Sequence, residues 1–152
     1  LNIFVMPNLD ATVSIKDAKR ISDHPGCWGI CISNTIPFGR MPDRIPWKKY
    51  FPDGKSPLEK RGLEQEGGLS GKPLKPIVCD WIKEARKAGV ACHINGGGGI
   101  LHPNDVADFR RAGADSVSLG SGAILRPWRV QKIIKRAHLE FSSQGTERKQ
   151  SW

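Results

Sequence analysis

No stretch of this 152-residue chain comes near the roughly 20 consecutive apolar residues that a helical membrane span needs. Its first residues also lack the basic start and small-residue cleavage site of a secretory signal. Both absences lead us to expect a soluble, cytoplasmic protein. The four cysteines, Cys27, Cys31, Cys79 and Cys92, lack the CxxC spacing of a zinc or redox centre. Buried free thiols are the expectation and no metal site is assigned. Cys27 and Cys31, four apart and on one face of a strand, leave a metal pair as the alternative. The basic excess, 24 Lys and Arg against 15 Asp and Glu, comes without an arginine stripe or an RNA-binding signature. It reads as solvated surface charge compatible with attracting an anionic substrate, and no nucleic-acid partner is expected. A basic RNA-binding protein is a third reading that rests on net charge alone. Beyond the alternation of strands and helices there is no repeat.

What the chain does have is glycine, concentrated at two points. His93-Ile94-Asn95-Gly96-Gly97-Gly98-Gly99-Ile100 places four glycines between an apolar strand and a helix. The run is either a flexible turn or a phosphate cradle, because glycine tolerates positive φ and lets several backbone N–H groups converge on one anion. Further on, Asp115-Ser116-Val117-Ser118-Leu119 reads as a short strand that runs into Gly120-Ser121-Gly122-Ala123. If the two strands are parallel neighbours, both turns lie at one rim and can hold the same phosphate, as the last units of a (β/α)8 barrel do.

Taken in order, Asn2 to Met6 is an apolar strand ended by Pro7-Asn8. Asp10 is placed to cap a helix running to Asp23. Trp28 to Ser33 forms a second strand, with Asn34-Thr35 at its C-terminal edge. Residues 36–66 have no period and five prolines, so they are read as a long loop, either folded over the site or disordered. Leu74 to Gly89 reads as a helix with Ile77, Trp81, Ile82 and Ala85 inward and Lys83, Arg86 and Lys87 outward. Val90 to Ile94 is the third strand, His102-Pro103 starts a helix that stops at Gly113, and a last helix spans about Pro127 to Leu139. His93 reads as a satisfied core histidine and His102 as a cap. Residues 1–140 form one domain, and 141–152 a polar tail expected to fray. Four strand–helix alternations predict an α/β fold with a parallel sheet.

The ordered set Asn34-Thr35, Gly67-Gly68-Leu69-Ser70-Gly71-Lys72-Pro73-Leu74, Gly98-Gly99-Ile100, Ala112-Gly113-Ala114 and Leu119-Gly120-Ser121 resembles the C-terminal half of dihydroorotate dehydrogenases, with the dihydropyrimidine dehydrogenase barrel as a close relative. The resemblance covers about Ile3 to Ile134, and the octapeptide from Gly67 is its most specific part. It implies a TIM-barrel family member of which only the last four βα units are present. It also implies FMN held by Ser33, Gly71, Gly98, Gly99, Gly120 and Ser121, mainly through backbone N–H groups to its phosphate. Asn34 and Thr35 would meet the pyrimidine ring of dihydroorotate or orotate. The implied chemistry is hydride transfer to the flavin in pyrimidine biosynthesis.

Two departures accompany the resemblance. The family's lysine near flavin N1 would fall at Met6, which carries no charge. The catalytic base, a cysteine or serine of the barrel's earlier half, has no counterpart, and none of the four cysteines matches it. The chain also begins inside a strand without an initiating methionine, which fits a fragment. On this reading the chain alone is inactive, its two open sheet edges predict self-association or a missing barrel half, and a non-catalytic phosphate-binding or assembly module is the alternative.

Overall fold

The computed structural model describes residues 3–32 and 34–142. Its main sheet has four parallel strands in the order β1-β2-β5-β6: β1 (Asn8–Leu9), β2 (Gly29–Ile32), β5 (His93–Gly97) and β6 (Ser116–Ser118). Helices α1 (Ile15–Ser22), α3 (Leu74–Lys87), α4 (Pro103–Ala112) and α6 (Pro127–Phe141) supply the connecting and closing layer, and a short α5 (Ser121–Leu125) follows β6. This is the mixed α/β arrangement of part of a TIM barrel.

The strands sit a few residues from where the sequence placed them. The first was expected over Asn2 to Met6, yet Val5 only bridges Cys27 while the paired strand is Asn8–Leu9. Pro7 lies between them, and without an N–H it cannot continue the ladder. The third moves forward to His93–Gly97, with Gly29 to Ile32 pairing His93 to Gly96 in register. Helix α1 starts later than expected because Ser14, not Asp10, caps it, its hydroxyl accepting from the Asp17 N–H at 3.1 Å. Asp10 closes a turn instead, accepting from the Thr12 N–H at 2.7 Å.

One face of the sheet is sealed. Ile30, Ile32 and Ile94 are buried with Ile82 of α3, Phe109 of α4 and Ile133 of α6. The other face is polar: Asn95 Nδ2 donates to Ser116 Oγ at 2.7 Å, His93 Nε2 lies 2.8 Å from the same hydroxyl, and Cys31 Sγ lies 3.4 Å from Asn95 Oδ1. Trp28 stacks on the His93 ring at 4.7 Å between centroids. Alternation along the strands produces the two faces.

Residues 36–66 are not featureless. β3 (Ile36–Pro37) pairs antiparallel with β4 (Gly68–Leu69), closing the excursion at its base. Inside it, α2 (Trp47–Tyr50) and a turn of 3₁₀ helix (Glu59–Arg61) surround buried Ile45 and Ser56. Phe38 packs on Trp47 and Phe51 at 4.9 and 5.3 Å, and Arg44 pairs with Asp80 of α3 at 2.8 Å. The tail expected to fray lies, from residue 143 on, outside the described residues; Phe141 still belongs to α6. Among the described residues no helix is long and apolar enough to cross a membrane.

Candidate functional site

Beyond the C-terminal ends of β5 and β6 lies a cavity of about 380 Å³. Its wall includes Gly98 and Gly99 from one turn, Gly120 and Ser121 from the other, and Thr35 from the end of β2. The two glycine turns thus share one rim, which is the consequence of parallel neighbours with in-register ends: Gly97 pairs with Ser118. Ser70, Leu74, Ile100, Ser118, Leu119, Gly122 and Ile124 complete the wall. Ser118 could have been found in the sequence, since it ends β6 two residues before Gly120. Ser70 lies inside the octapeptide.

Why these turns need glycine is local. Gly99 has φ +78°, and a Cβ there would stand 2.8 Å from the Gly71 carbonyl oxygen and 3.0 Å from Lys75 Cβ. A side chain at Gly122 would meet the Ile100 carbonyl oxygen at 2.3 Å. The backbone therefore comes too close to itself to admit a side chain at either position. Among the described residues, the N–H groups of Gly99, Ile100, Gly120 and Ser121 donate to no recorded carbonyl or side chain. Gly99 and Ile100 are buried, and buried donors without partners are rare in folded proteins. An anionic oxygen is the group that such a cradle suits.

The remaining residues expected at the site are placed differently. Gly71 touches the cradle from behind through its carbonyl, beside Gly99. Asn34 is exposed, and its Oδ1 accepts from the Thr35 N–H at 2.9 Å, so it does not line the cavity. Ser33 lies outside the described residues. Met6 is partly exposed between the Val5 bridge and β1. Only Thr35 and Ser70, at the feet of the long excursion, reach the cavity; its body packs beside α1 and α3, where Met41 and Arg44 lie with Ile15, Ile77 and Trp81.

Burial pushes the thiols of Cys79 and Cys92 up to about 11, so both are protonated at neutral pH and neither is an activated base. Among the described residues no three His, Cys, Asp or Glu side chains gather to hold a metal ion. His102 caps α4: its Nδ1 accepts from the Asn104 N–H at 3.3 Å, while Asp105 Oδ2 accepts from the His102 N–H at 2.8 Å.

Residues 2–140 match the family model described as dihydroorotate dehydrogenase. Among curated proteins, the catalytic subunit of dihydroorotate dehydrogenase B (NAD(+)) of Halalkalibacterium halodurans is 30% identical over 142 residues, covering 93% of this chain and 41% of that protein. The same subunit of Anoxybacillus flavithermus is 41% identical over 132 residues, covering 87% and 38%. In fold, the chain is similar to an Eimeria tenella DHODH solved in complex with ferulenol, with TM-score 0.64 and 23% identity over 93% of this chain and 35% of that one. The chain spans about two fifths of the length of these curated relatives.

Proposed function

The chain belongs to the dihydroorotate dehydrogenase family, and from that premise we propose that it is the phosphate-gripping part of an FMN-dependent barrel that oxidises dihydroorotate to orotate in pyrimidine biosynthesis. One observation carries the reading: two glycine turns on adjacent parallel strands face a single cavity with unpartnered amides. The N–H groups of Gly99, Ile100, Gly120 and Ser121 would bind the flavin phosphate, with the Ser70 and Ser118 hydroxyls beside them and Gly98 shaping the turn. When bound, FMN supplies the acceptor for a hydride from the substrate ring. Thr35, on the cavity wall, and Asn34 next to it are the residues offered to the pyrimidine; Asn34 would have to release Thr35 to reach it.

The chain provides grip and orientation rather than proton chemistry. Neither Cys79 nor Cys92 is a base, and Met6 brings no charge to a reduced flavin. We therefore expect binding without turnover from this chain alone. A non-catalytic phosphate- or flavin-binding module is the second reading, and Met6 favours it; a dihydropyrimidine dehydrogenase-like reductase would use the same cradle.

The sheet also ends in two unpaired edges, β1 and β6. Beside each lies an apolar groove, one lined by Val5, Pro7, Ile21 and Cys27 and the other by Val117, Ile133, Ala137 and Phe141. A second copy or the missing barrel half is the partner that such edges call for. Sedimentation at tens of micromolar should show association, and a monodisperse monomer would count against it. The reading carries a cytoplasmic location with it.

Titrating the chain with FMN and following flavin fluorescence tests the core of the proposal. We expect a saturable change that Gly99→Val abolishes, since the new side chain would meet the Gly71 carbonyl oxygen and Lys75. No change up to millimolar FMN removes the cofactor role.

A further inference from the structure

We propose that a pocket on the outer side of the Gly99 turn is a second anion site, built for phosphate groups and separate from the cradle. The pocket has a volume of about 240 Å³ and lies where the start of α3, the turn between β5 and α4, and the junction of α5 with α6 meet. Lys72, Lys75, His102, Asp105, Arg126 and Arg129 line it, and Gly99 is the wall it shares with the cradle.

Its charges do not cancel. Lys75 is spent, with Nζ 2.6 Å from both Asp105 Oδ1 and Asp108 Oδ2. Asp105 is spent as well, because its other oxygen accepts from the Leu101 and His102 N–H groups at 2.9 and 2.8 Å. That leaves Lys72, Arg126 and Arg129, none of which pairs with a carboxylate among the described residues. Arg129 Nη1 donates to the Leu101 carbonyl at 3.3 Å, which holds it at the pocket. Both arginines are half-buried, so their charge is only partly screened by water.

A second, independent observation points the same way. Helices α3 and α6 are 14 and 15 residues long and begin at this pocket, and neither has an acidic residue in its first turn. Instead, Lys72 stands two residues before α3 and Lys75 in its first turn, while Arg126 is the N-cap of α6 and Arg129 lies in its first turn. A helix N-terminus favours negative charge. Asp105 and Asp108 already supply it beside Lys75 on α3, whereas α6 begins with two cations that have no carboxylate partner among the described residues, a sign that a bound anion would offset. Arginine's planar fork and lysine's point charge together suit a phosphate, either free or at the end of a nucleotide. None of its lining residues belongs to a strand of the sheet or to the grooves beside β1 and β6, so it does not depend on what completes the sheet edges.

Calorimetry with inorganic phosphate and, separately, with ATP tests this on the whole chain saturated with FMN, which occupies the cradle. We expect one equivalent to bind, and the double variant Lys72→Gln/Arg126→Gln to weaken it about tenfold or more while flavin affinity shifts less than about twofold. Equal affinity for the two probes assigns the site to free phosphate, and tighter ATP binding assigns it to the end of a nucleotide. If neither probe binds, or if the double variant binds as well as the parent, the inference falls. It falls too if FMN displaces all the phosphate, because the pocket then belongs to the cradle. Should FMN itself fail to bind, the flavin reading fails, yet the difference between parent and variant in phosphate uptake still decides this one. The single variants, checked for native circular dichroism, guard against a folding defect in the double.

Discussion

The two ends of β5 and β6 are built on opposite plans. At the N-terminal end, Arg86 reaches across from α3 and donates to the carbonyls of Gly113 at 2.9 Å, Val90 at 2.6 Å and Cys92 at 2.9 Å, and it pairs with Asp115. Asp115 in turn accepts from the Ile94 N–H at 2.9 Å. The groups named there answer one another within the chain. At the C-terminal end, among the described residues, the amides of Gly99, Ile100, Gly120 and Ser121 have no partner, although the Ser70, Ser118 and Ser121 side chains line the same cavity. One end holds the sheet together, and the other is the rim to which our proposal assigns a ligand, the division of labour usual in barrels of this type.

The comparison breaks hardest at the stapled end. Arg86→Met keeps the aliphatic stem but leaves Asp115 buried without its cation, and should cost about 3–5 kcal/mol of stability in urea unfolding. A loss under about 1 kcal/mol would mean that the staple is ornamental. At the open end, Gly99→Val forces a branched side chain into positive φ and into the Gly71 carbonyl. It should cost about 1–3 kcal/mol and remove ligand binding altogether, whereas Arg86→Met should leave the ligand affinity of the folded fraction unchanged.

A finer test uses acid. Burial works to raise the Asp105 carboxyl, but the Lys75 ammonium and the Leu101 and His102 amides outweigh it and hold the group below its usual 3.8. Its contribution is therefore present above pH 3.8 and lost as pH falls through the lower, folded value. Lys75 is shifted the other way: desolvation works to lower it, the Asp105 and Asp108 carboxylates outweigh that, and its contribution persists below 10.5 and fades at higher pH. Acid titration of unfolding should show a decline below about pH 4 that is shallower in Asp105→Asn. The same slope in both proteins would remove Asp105 from the account. Smallest of all should be His93→Ala, at the start of β5 on the polar face, at about 1 kcal/mol or less. A larger loss would show that this face is sealed in solution.

Much of this was legible without coordinates. Short, almost wholly apolar runs marked the strands, Pro103 and Gly113 bounded α4, and the two glycine turns with the octapeptide announced the rim and the family. The errors have physical causes. The apolar run before Pro7 was read as the first strand, yet the ladder forms after the proline at Asn8–Leu9, and Ser14 with Asp17 three residues later outcompetes Asp10 as a cap. Arg86 was read as outward because it is charged and at the end of a helix, yet its length lets it bend back under the sheet. The excursion from Ile36 to Gly68 looked aperiodic because a cluster of Phe38, Trp47 and Phe51 and one two-residue strand pair hold it, and neither repeats.

By itself, then, the sequence determined where the backbone is apolar, where it must turn with positive φ, and hence the parallel α/β class and its glycine-rich rim. Those are properties of single residues and short spacings. Only the tertiary structure decided which groups are left unanswered: that Arg86 spends its donors on three carbonyls, that Lys75 is neutralised while Lys72 and Arg126 are not, and that two turns some twenty residues apart open onto one cavity. Satisfaction of charge and hydrogen bonds belongs to pairs, and the chain makes those pairs only when folding brings distant residues to within about 3 Å of one another.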